Sequence, residues 1–266
     1  MKSLEEMQPY FSGKKLYGND FGAAKIEEWF ADEKEAYAEL INRGNTFNFD
    51  LMNVKNGFKY LPKNVFFNKV VSFGGADGEE ILPIINQINN ITIIDPSDSF
   101  KRNELNDKPL SRIKPSIQGN IEFENDSLDL ITCFGVLHHI PNVSHVISEF
   151  HRCLKKNGIL IIREPINSMG DWRFPRKLTT KRERGIPLNL FREWIAEKNF
   201  SVIKETLCEF SVLCKFPGYK LLITKSGLFI TIDRFISKLF VWNYNYHATK
   251  LFDKFKPLSV YYVLKK

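Results

Sequence analysis

The chain has 266 residues, 43% of them hydrophobic, which is enough for one large packed core or a core with an appendage and excludes extensive disorder. Its four cysteines form no CxxC pair, which argues against a disulfide framework or a structural zinc site and for a reducing compartment. The net charge of +7 is unevenly spread: residues 171–266 carry 19 Lys and Arg against 8 Asp and Glu, leaving the front slightly acidic.

Residues 1–66 read as an N-terminal helical extension or lid. A helix is expected from Ala23 to Asn42, where Ile26, Trp29, Phe30, Tyr37, Leu40 and Ile41 recur near helical spacing. The aromatic and glycine loop around Tyr17 could fold over a pocket as lids do. More helix is expected over Asn45 to Leu61, with a turn at Asn56-Gly57.

From residue 67 the pattern alternates between strand and helix. Strand Val70–Phe73, helix Asp77–Ile88, strand Ile91–Asp95, helix Ser97–Leu105, a short strand near Ile117, strand Leu128–Phe134, helix Pro141–Lys156 and strand Ile159–Arg163 are expected in turn. That order predicts a doubly wound, Rossmann-like α/β fold with a mostly parallel sheet, helices on both faces and ligands at the strand C-termini.

After Glu164 a basic linker, 167–186, leads to a helix from Pro187 to Lys198 and a strand from Phe200 to Phe210. A helical insertion, 215–257, precedes a last, antiparallel strand from Leu258 to Leu264. Within it Gly227–Trp242 is amphipathic, with Leu228, Ile232, Phe235, Ile236, Leu239, Phe240 and Trp242 on one arc. That arc either packs on the sheet or another subunit, the favoured reading, or lies on a membrane.

The unusual residues sit after the strands. Gly74-Gly75-Ala76-Asp77-Gly78 follows the first, where a turn requires angles a Cβ forbids and a ligand must approach the backbone. Asp95 ends the next strand at ribose-binding spacing. The six-residue dinucleotide glycine pattern is not met, because Ala76 and Glu79 occupy its later positions; this weakens a pyrophosphate cofactor. His138 and His139 follow the strand ending at Phe134, and Glu164 ends the one after it.

In order and spacing, the glycine turn, Asp95, Asn125-Asp126-Ser127-Leu128-Asp129-Leu130-Ile131 and Val136-Leu137-His138-His139-Ile140 resemble the class I S-adenosylmethionine-dependent methyltransferases. The branch is that acting on small molecules and sugars, and the resemblance covers residues 66–166 best. It implies S-adenosyl-L-methionine as cofactor. Gly74, Gly75, Ala76 and Gly78 would then lie beside its methionine tail, Asp95 on its ribose, and Asn120 with the Ile121 backbone on its adenine. Two departures stand out. Ser72 occupies a position often acidic, so another group must meet the cofactor ammonium, and Ala76 replaces a glycine, which suits the turn only with negative φ.

The resemblance further implies methyl transfer, expected on a hydroxyl of a small-molecule, glycan or nucleotide-sugar acceptor. A hydroxyl acceptor needs a base, and His139, ahead of His138, is the candidate, oriented by Glu164. Tyr17 and Arg173 are assigned to the acceptor side, where the basic linker would suit a phosphorylated small molecule or nucleotide-sugar. No metal is expected, because adjacent histidines on an extended segment point apart. The alternatives are a nicotinamide-dependent oxidoreductase and a non-catalytic or nucleic-acid-binding protein, although no nucleic-acid motif is present. A cytoplasmic protein of undetermined oligomeric state is expected, since the start lacks signal-peptide architecture.

Overall fold

The computed structural model describes residues 3–35, 38–39, 48–176 and 179–266. The elements in chain order are α1 (Leu4–Phe11), α2 (Ala23–Glu33), α3 (Asp50–Asn56), β1 (Phe67–Phe73), β2 (Ile88–Ile94), β3 (Glu104–Leu105) and β4 (Lys108–Ile113). There follow β5 (Leu128–Phe134), α4 (Val143–Cys153), β6 (Leu154–Pro165), α5 (Leu188–Glu197), β7 (Ser201–Phe210), α6 (Tyr219–Lys225), α7 (Gly227–Leu239) and β8 (Pro257–Lys265). The expected helix Ala23–Asn42 is described as helix to Glu33; most of its remainder lies outside the described residues.

Eight strands form one sheet in the order β3-β4-β2-β1-β5-β6-β8-β7. The neighbours from β4 to β6 run parallel, and β8 is antiparallel to both β6 and β7. Alternate residues of the buried strands feed two cores. Val71, Phe73, Ile131 and Cys133 face α4 and α5, and Val70, Leu130 and Phe134 face the side of α3, α6 and α7. Order reverses between β1 and β5, so the loops after these strands open at a switch point, where open α/β sheets bind ligands.

Three sequence expectations change. The segment after the glycine turn is a 3₁₀ run, Glu79–Gln87, rather than an α-helix. Pro83 lies inside it and offers no N–H, which breaks the α ladder. The Ser97–Leu105 helix is absent, and the chain instead makes the β3-β4 hairpin. Asn106 and Asp107 turn it at φ 50° and 61°, as a two-residue hairpin loop demands. The short strand expected near Ile117 is β4, ending four residues earlier.

The amphipathic helix α7 departs most. Its apolar arc faces outward, leaving Leu228, Ile232, Phe235 and Leu239 exposed, while Ile230, Asp233 and Ser237 are buried. The cause lies at the end of β7, where Glu209 turns at φ 57°. The N–H groups of Glu209 and Phe210 donate to Asp233 at 2.8 and 2.7 Å, so this helix docks through a carboxylate on backbone donors.

Candidate active site

The turn after β1 is built by crowding. Gly74 has φ 68°, its N–H donates to the Ile94 carbonyl at 2.7 Å, and a Cβ there would sit 2.4 Å from Val136. A side chain at Gly75 would strike Ser72 Oγ. Ala76 has φ 47°, against the negative φ expected for an alanine there. Both its peptide groups are held: its N–H donates to Asp95 Oδ2 at 3.0 Å and its carbonyl accepts from Arg112 at 2.8 Å. Neighbours thus impose a left-handed conformation that a lone alanine avoids.

Asp95 is buried, and its other oxygen accepts from the Ser97 N–H at 3.0 Å, so one carboxylate ties the β1 and β2 turns together. Burial raises its pKa against the pull of these amide donors. Ser72 is fully buried and donates to Glu80 Oε1 at 2.5 Å, with Thr132 3.3 Å from the same oxygen. The carboxylate that Ser72 lacks is therefore brought to its hydroxyl by Glu80. Burial pushes the Glu80 carboxyl up to about 7 despite those two hydroxyl donors.

The loop entering β5 is pinned by α4. Ile121 is buried and its N–H donates to Glu149, while Arg152 donates to the Ile121 and Phe123 carbonyls. Asn120 is exposed, with its Oδ1 2.8 Å from His145 Nε2.

The histidine turn after β5 divides its two rings between different carboxylates. Glu164, wholly buried, accepts from the N–H groups of Val136 and Leu137 and lies 2.8 Å from His138 Nδ1. His138 Nε2 lies 3.2 Å from Glu183. Burial opposes charge on this ring, but hydrogen bonds to the two carboxylates outweigh it and push its pKa up to about 9. Glu183 is correspondingly held down to about 2, its burial outweighed by His138. The partner of His139 is instead Glu33 of α2, with Nδ1 to Oε2 at 2.8 Å, and Thr180 donates to the same oxygen at 2.6 Å. The expected His139–Glu164 pairing thus falls on His138, because Glu164 is spent under the turn.

His138, His139 and Glu183 offer ligand atoms within 4.8 Å of one another, the spacing of metal ligands; Glu164 faces the other nitrogen of His138. Adjacent histidines do converge here, because the turn Leu137–His139 is a 3₁₀ segment rather than extended chain.

The linker cations are largely spent on the protein. Arg173 pairs with Asp171 at 2.7 Å, Arg182 binds Asp32 and Glu28, Lys181 binds Asp32, and Arg176 donates to the Met169 and Glu183 carbonyls. Arg184, fully buried, donates to the carbonyls of Tyr17, His138, Ile140 and Pro141, joining the Tyr17 loop to the histidine turn. Lys177 lies outside the described residues. Tyr17 stacks on Trp172 with centroids 5.5 Å apart, and Phe11 stacks on Trp172 and His247. Beyond β6 a cleft of about 320 Å³ is lined by Ser168, Tyr246, His247, Lys254 and Lys256 among others.

Sequence reading missed Glu33, Glu80 and Glu183, and it took Arg184 as one of the acceptor-side cations of the linker, whereas its donors are spent on backbone carbonyls. Glu80 alone carried a local signal, being an acidic residue just after the glycine turn; the others reach the site from distant segments.

A methyltransferase-domain family matches residues 29–208, two thirds of the chain. No curated protein matches it. Solved structures share the fold at low identity. An S-adenosylmethionine-dependent methyltransferase from Mesorhizobium loti is 13% identical, with 79% of this chain and 95% of that one covered and a TM-score of 0.53. One from Leishmania major is 12% identical over 91% and 82%, with a TM-score of 0.56. The N-methyltransferase NodS from Bradyrhizobium japonicum, in complex with S-adenosyl-L-homocysteine, is 11% identical over 91% and 97%, with a TM-score of 0.51. The crowded Gly74 backbone and the carboxylates of Asp95 and Glu80 suit an uncharged ribose and an ammonium-bearing tail better than a pyrophosphate, which favours S-adenosylmethionine over a nicotinamide dinucleotide. By its domain match and its sheet, the chain belongs to the methyltransferase domain family, with the class I S-adenosylmethionine-dependent fold and the cofactor that fold and family imply.

Proposed function

We propose that this methyltransferase acts on a hydroxyl of a small molecule or glycan-type acceptor, such as a nucleotide-sugar, with His139 as the general base. The contact that carries this reading is His139 Nδ1 to Glu33 at 2.8 Å. A carboxylate only accepts, so Nδ1 would hold the ring proton, and Nε2, 3.9 Å from Glu183 Oε1 and beyond hydrogen-bond distance of it, would keep a lone pair for an acceptor hydroxyl. His138 has both nitrogens engaged by Glu164 and Glu183, which makes it a positioning residue that holds the turn.

When bound, the cofactor supplies an electrophilic methyl group on a sulfonium. Toward it, Gly74, Gly75, Ala76 and Gly78 would present backbone to the methionine tail, Asp95 would accept from the ribose hydroxyls, and Asn120 and Ile121 would flank the adenine. Glu80, ionised, would meet the ammonium in place of the acid missing at Ser72. The chain's remaining task is to hold the acceptor in line and exclude water, for which the aromatic stack of Tyr17 and Trp172 is suited. Arg173 is committed to Asp171. The cation for a phosphorylated acceptor would then come from the cleft beyond β6, where Lys254 stands.

Calorimetric titration with S-adenosylhomocysteine tests the cofactor. Turnover on a panel of nucleotide-sugars and hydroxylated small molecules, read as S-adenosylhomocysteine release, tests the rest. His139→Ala should lower turnover about 10²–10⁴-fold with unchanged S-adenosylhomocysteine affinity. Parent-like turnover in that variant would overturn the base assignment.

A further inference from the structure

The insertion between β7 and β8 is turned inside out relative to an ordinary surface helix. On α7, Leu228, Ile232, Phe235 and Leu239 follow i, i+4, i+7, i+11 spacing, and Trp242 continues the row beyond the helix end. This is the stripe that a globular protein normally buries. Here Leu228 is 72% exposed, Phe235 68% and Trp242 69%, while the helix docks through Ile230, Asp233 and Ser237. The patch extends onto the following loop: Phe252 lies 6.1 Å from the Trp242 ring, and Leu251 beside it is 77% exposed.

Charge and position indicate what covers it. Residues 211–256 contain eight Lys and Arg and two acidic residues, of which Asp233 is buried under the helix. Lys215, Lys220, Lys225, Lys238, Lys250 and Lys254 are exposed on this same segment, Lys215 and Lys254 also lining the cleft beyond β6. A symmetric contact between two copies would bring these lysines onto one another, a like-charge penalty that a second copy does not relieve. An anionic lipid surface takes both features at once, the apolar row entering the headgroup boundary and the lysines its negative potential.

The insertion also leaves the sheet at the ligand edge. Phe210 at the end of β7 pairs with Pro257 at the start of β8, and Ser259 pairs with Pro165 at the C-terminal end of β6. The apolar row is therefore carried on the segment that leaves the edge on which His139 and Asp95 stand.

We infer that α7 and the loop through Phe255 form an interfacial docking surface for an anionic phospholipid bilayer, which presents a membrane-associated acceptor to the site. This rests on the O-methyltransferase reading only for the acceptor; the docking itself does not.

The test is flotation of the full chain with vesicles of phosphatidylcholine alone or mixed with phosphatidylglycerol. The protein should float with the mixed vesicles and lose that binding as salt is raised. Phe235→Ser with Trp242→Ser should abolish flotation, and Lys238→Glu with Lys250→Glu should weaken binding at least tenfold, at about fivefold per lysine. These positions are exposed, so melting temperature and S-adenosylhomocysteine affinity should stay at parent values, separating lost docking from a lost fold or a wrong cofactor. Absence of flotation with mixed vesicles would overturn the proposal. So would a dimer in analytical ultracentrifugation that Phe235→Ser converts to monomer while the parent ignores vesicles.

Discussion

Glu33 of α2 and His139 of the turn after β5 meet at 2.8 Å although 106 positions separate them. The N-terminal extension therefore reaches the histidine turn, and its carboxylate would set the tautomer of the ring proposed as base. Thr180 and the Arg182 N–H donate to the same Glu33 carboxylate, which sets its orientation from the linker side.

Glu33→Gln should accordingly reduce turnover on the order of 10²-fold, because an amide can present either a donor or an acceptor to Nδ1 and no longer selects the reactive tautomer. Steady-state kinetics should place the loss in kcat, with S-adenosylhomocysteine affinity at the parent value. Turnover equal to the parent would detach Glu33 from the chemistry.

The sheet was legible because the buried strands are short apolar runs closed by turn residues, as in Val70–Phe73 and Ile91–Ile94, and the glycine turn and histidine turn follow such runs directly. Partnerships across the chain were not. Nothing local to Glu33 or Glu183 marks either as a histidine partner, since each is one acid in a charged helix or basic linker. Packing of the α7 arc on the sheet, one of the expected alternatives, failed for a related reason. Periodicity ranks faces by side-chain polarity, and the deciding acceptors and donors here are Asp233 and two backbone N–H groups at the C-terminal end of β7.

Glu80 gives a pH dependence with a definite sign. Its carboxyl is raised from an ordinary value of 4.5 to about 7 by burial. Between those values the unfolded chain releases the proton while the folded chain keeps it, so stability falls as pH rises from 4.5 to 7 and levels off above. The full effect is at most about 3 kcal/mol. Glu80→Gln keeps an acceptor for Ser72 and Thr132, and denaturant melts from pH 5 to 8 should show this slope removed. A slope identical to the parent's would mean that Glu80 titrates normally.

Gly74→Ala should fail on two grounds. The backbone lies at φ 68°, and the new methyl would sit 2.4 Å from Val136 Cγ2. Strain and overpacking each cost about 1–3 kcal/mol, and the first remains if Val136 is trimmed. The single variant should melt several degrees below the parent, and Gly74→Ala with Val136→Ala should recover part of that loss. Equal melting temperatures for the two variants would show that the Val136 contact contributes nothing.

Arg184 offers the sharpest separation of architecture from chemistry. Its guanidinium is fully buried and its pKa is drawn down to about 10 by burial, yet among the described residues it bonds to no carboxylate. It instead collects carbonyls from Tyr17 at 2.8 Å, His138 at 3.0 Å and Ile140 at 2.6 Å, with Trp29 stacked near it. Removing the donor leaves these carbonyls buried without partners, at about 1–3 kcal/mol each where water cannot enter. Arg184→Lys keeps the charge but loses the planar fork, so it cannot reach both the Tyr17 loop and the histidine turn. Arg184→Lys should therefore lower stability by about 2 kcal/mol or more and raise hydrogen exchange at residues 17–21 and 137–141 together, while β1 and β5 keep their protection. Exchange that rises in only one of the two segments would show that Arg184 does not couple them, and that the N-terminal extension is held against the histidine turn by α2, whose Trp29 indole donates to the His139 carbonyl at 2.6 Å.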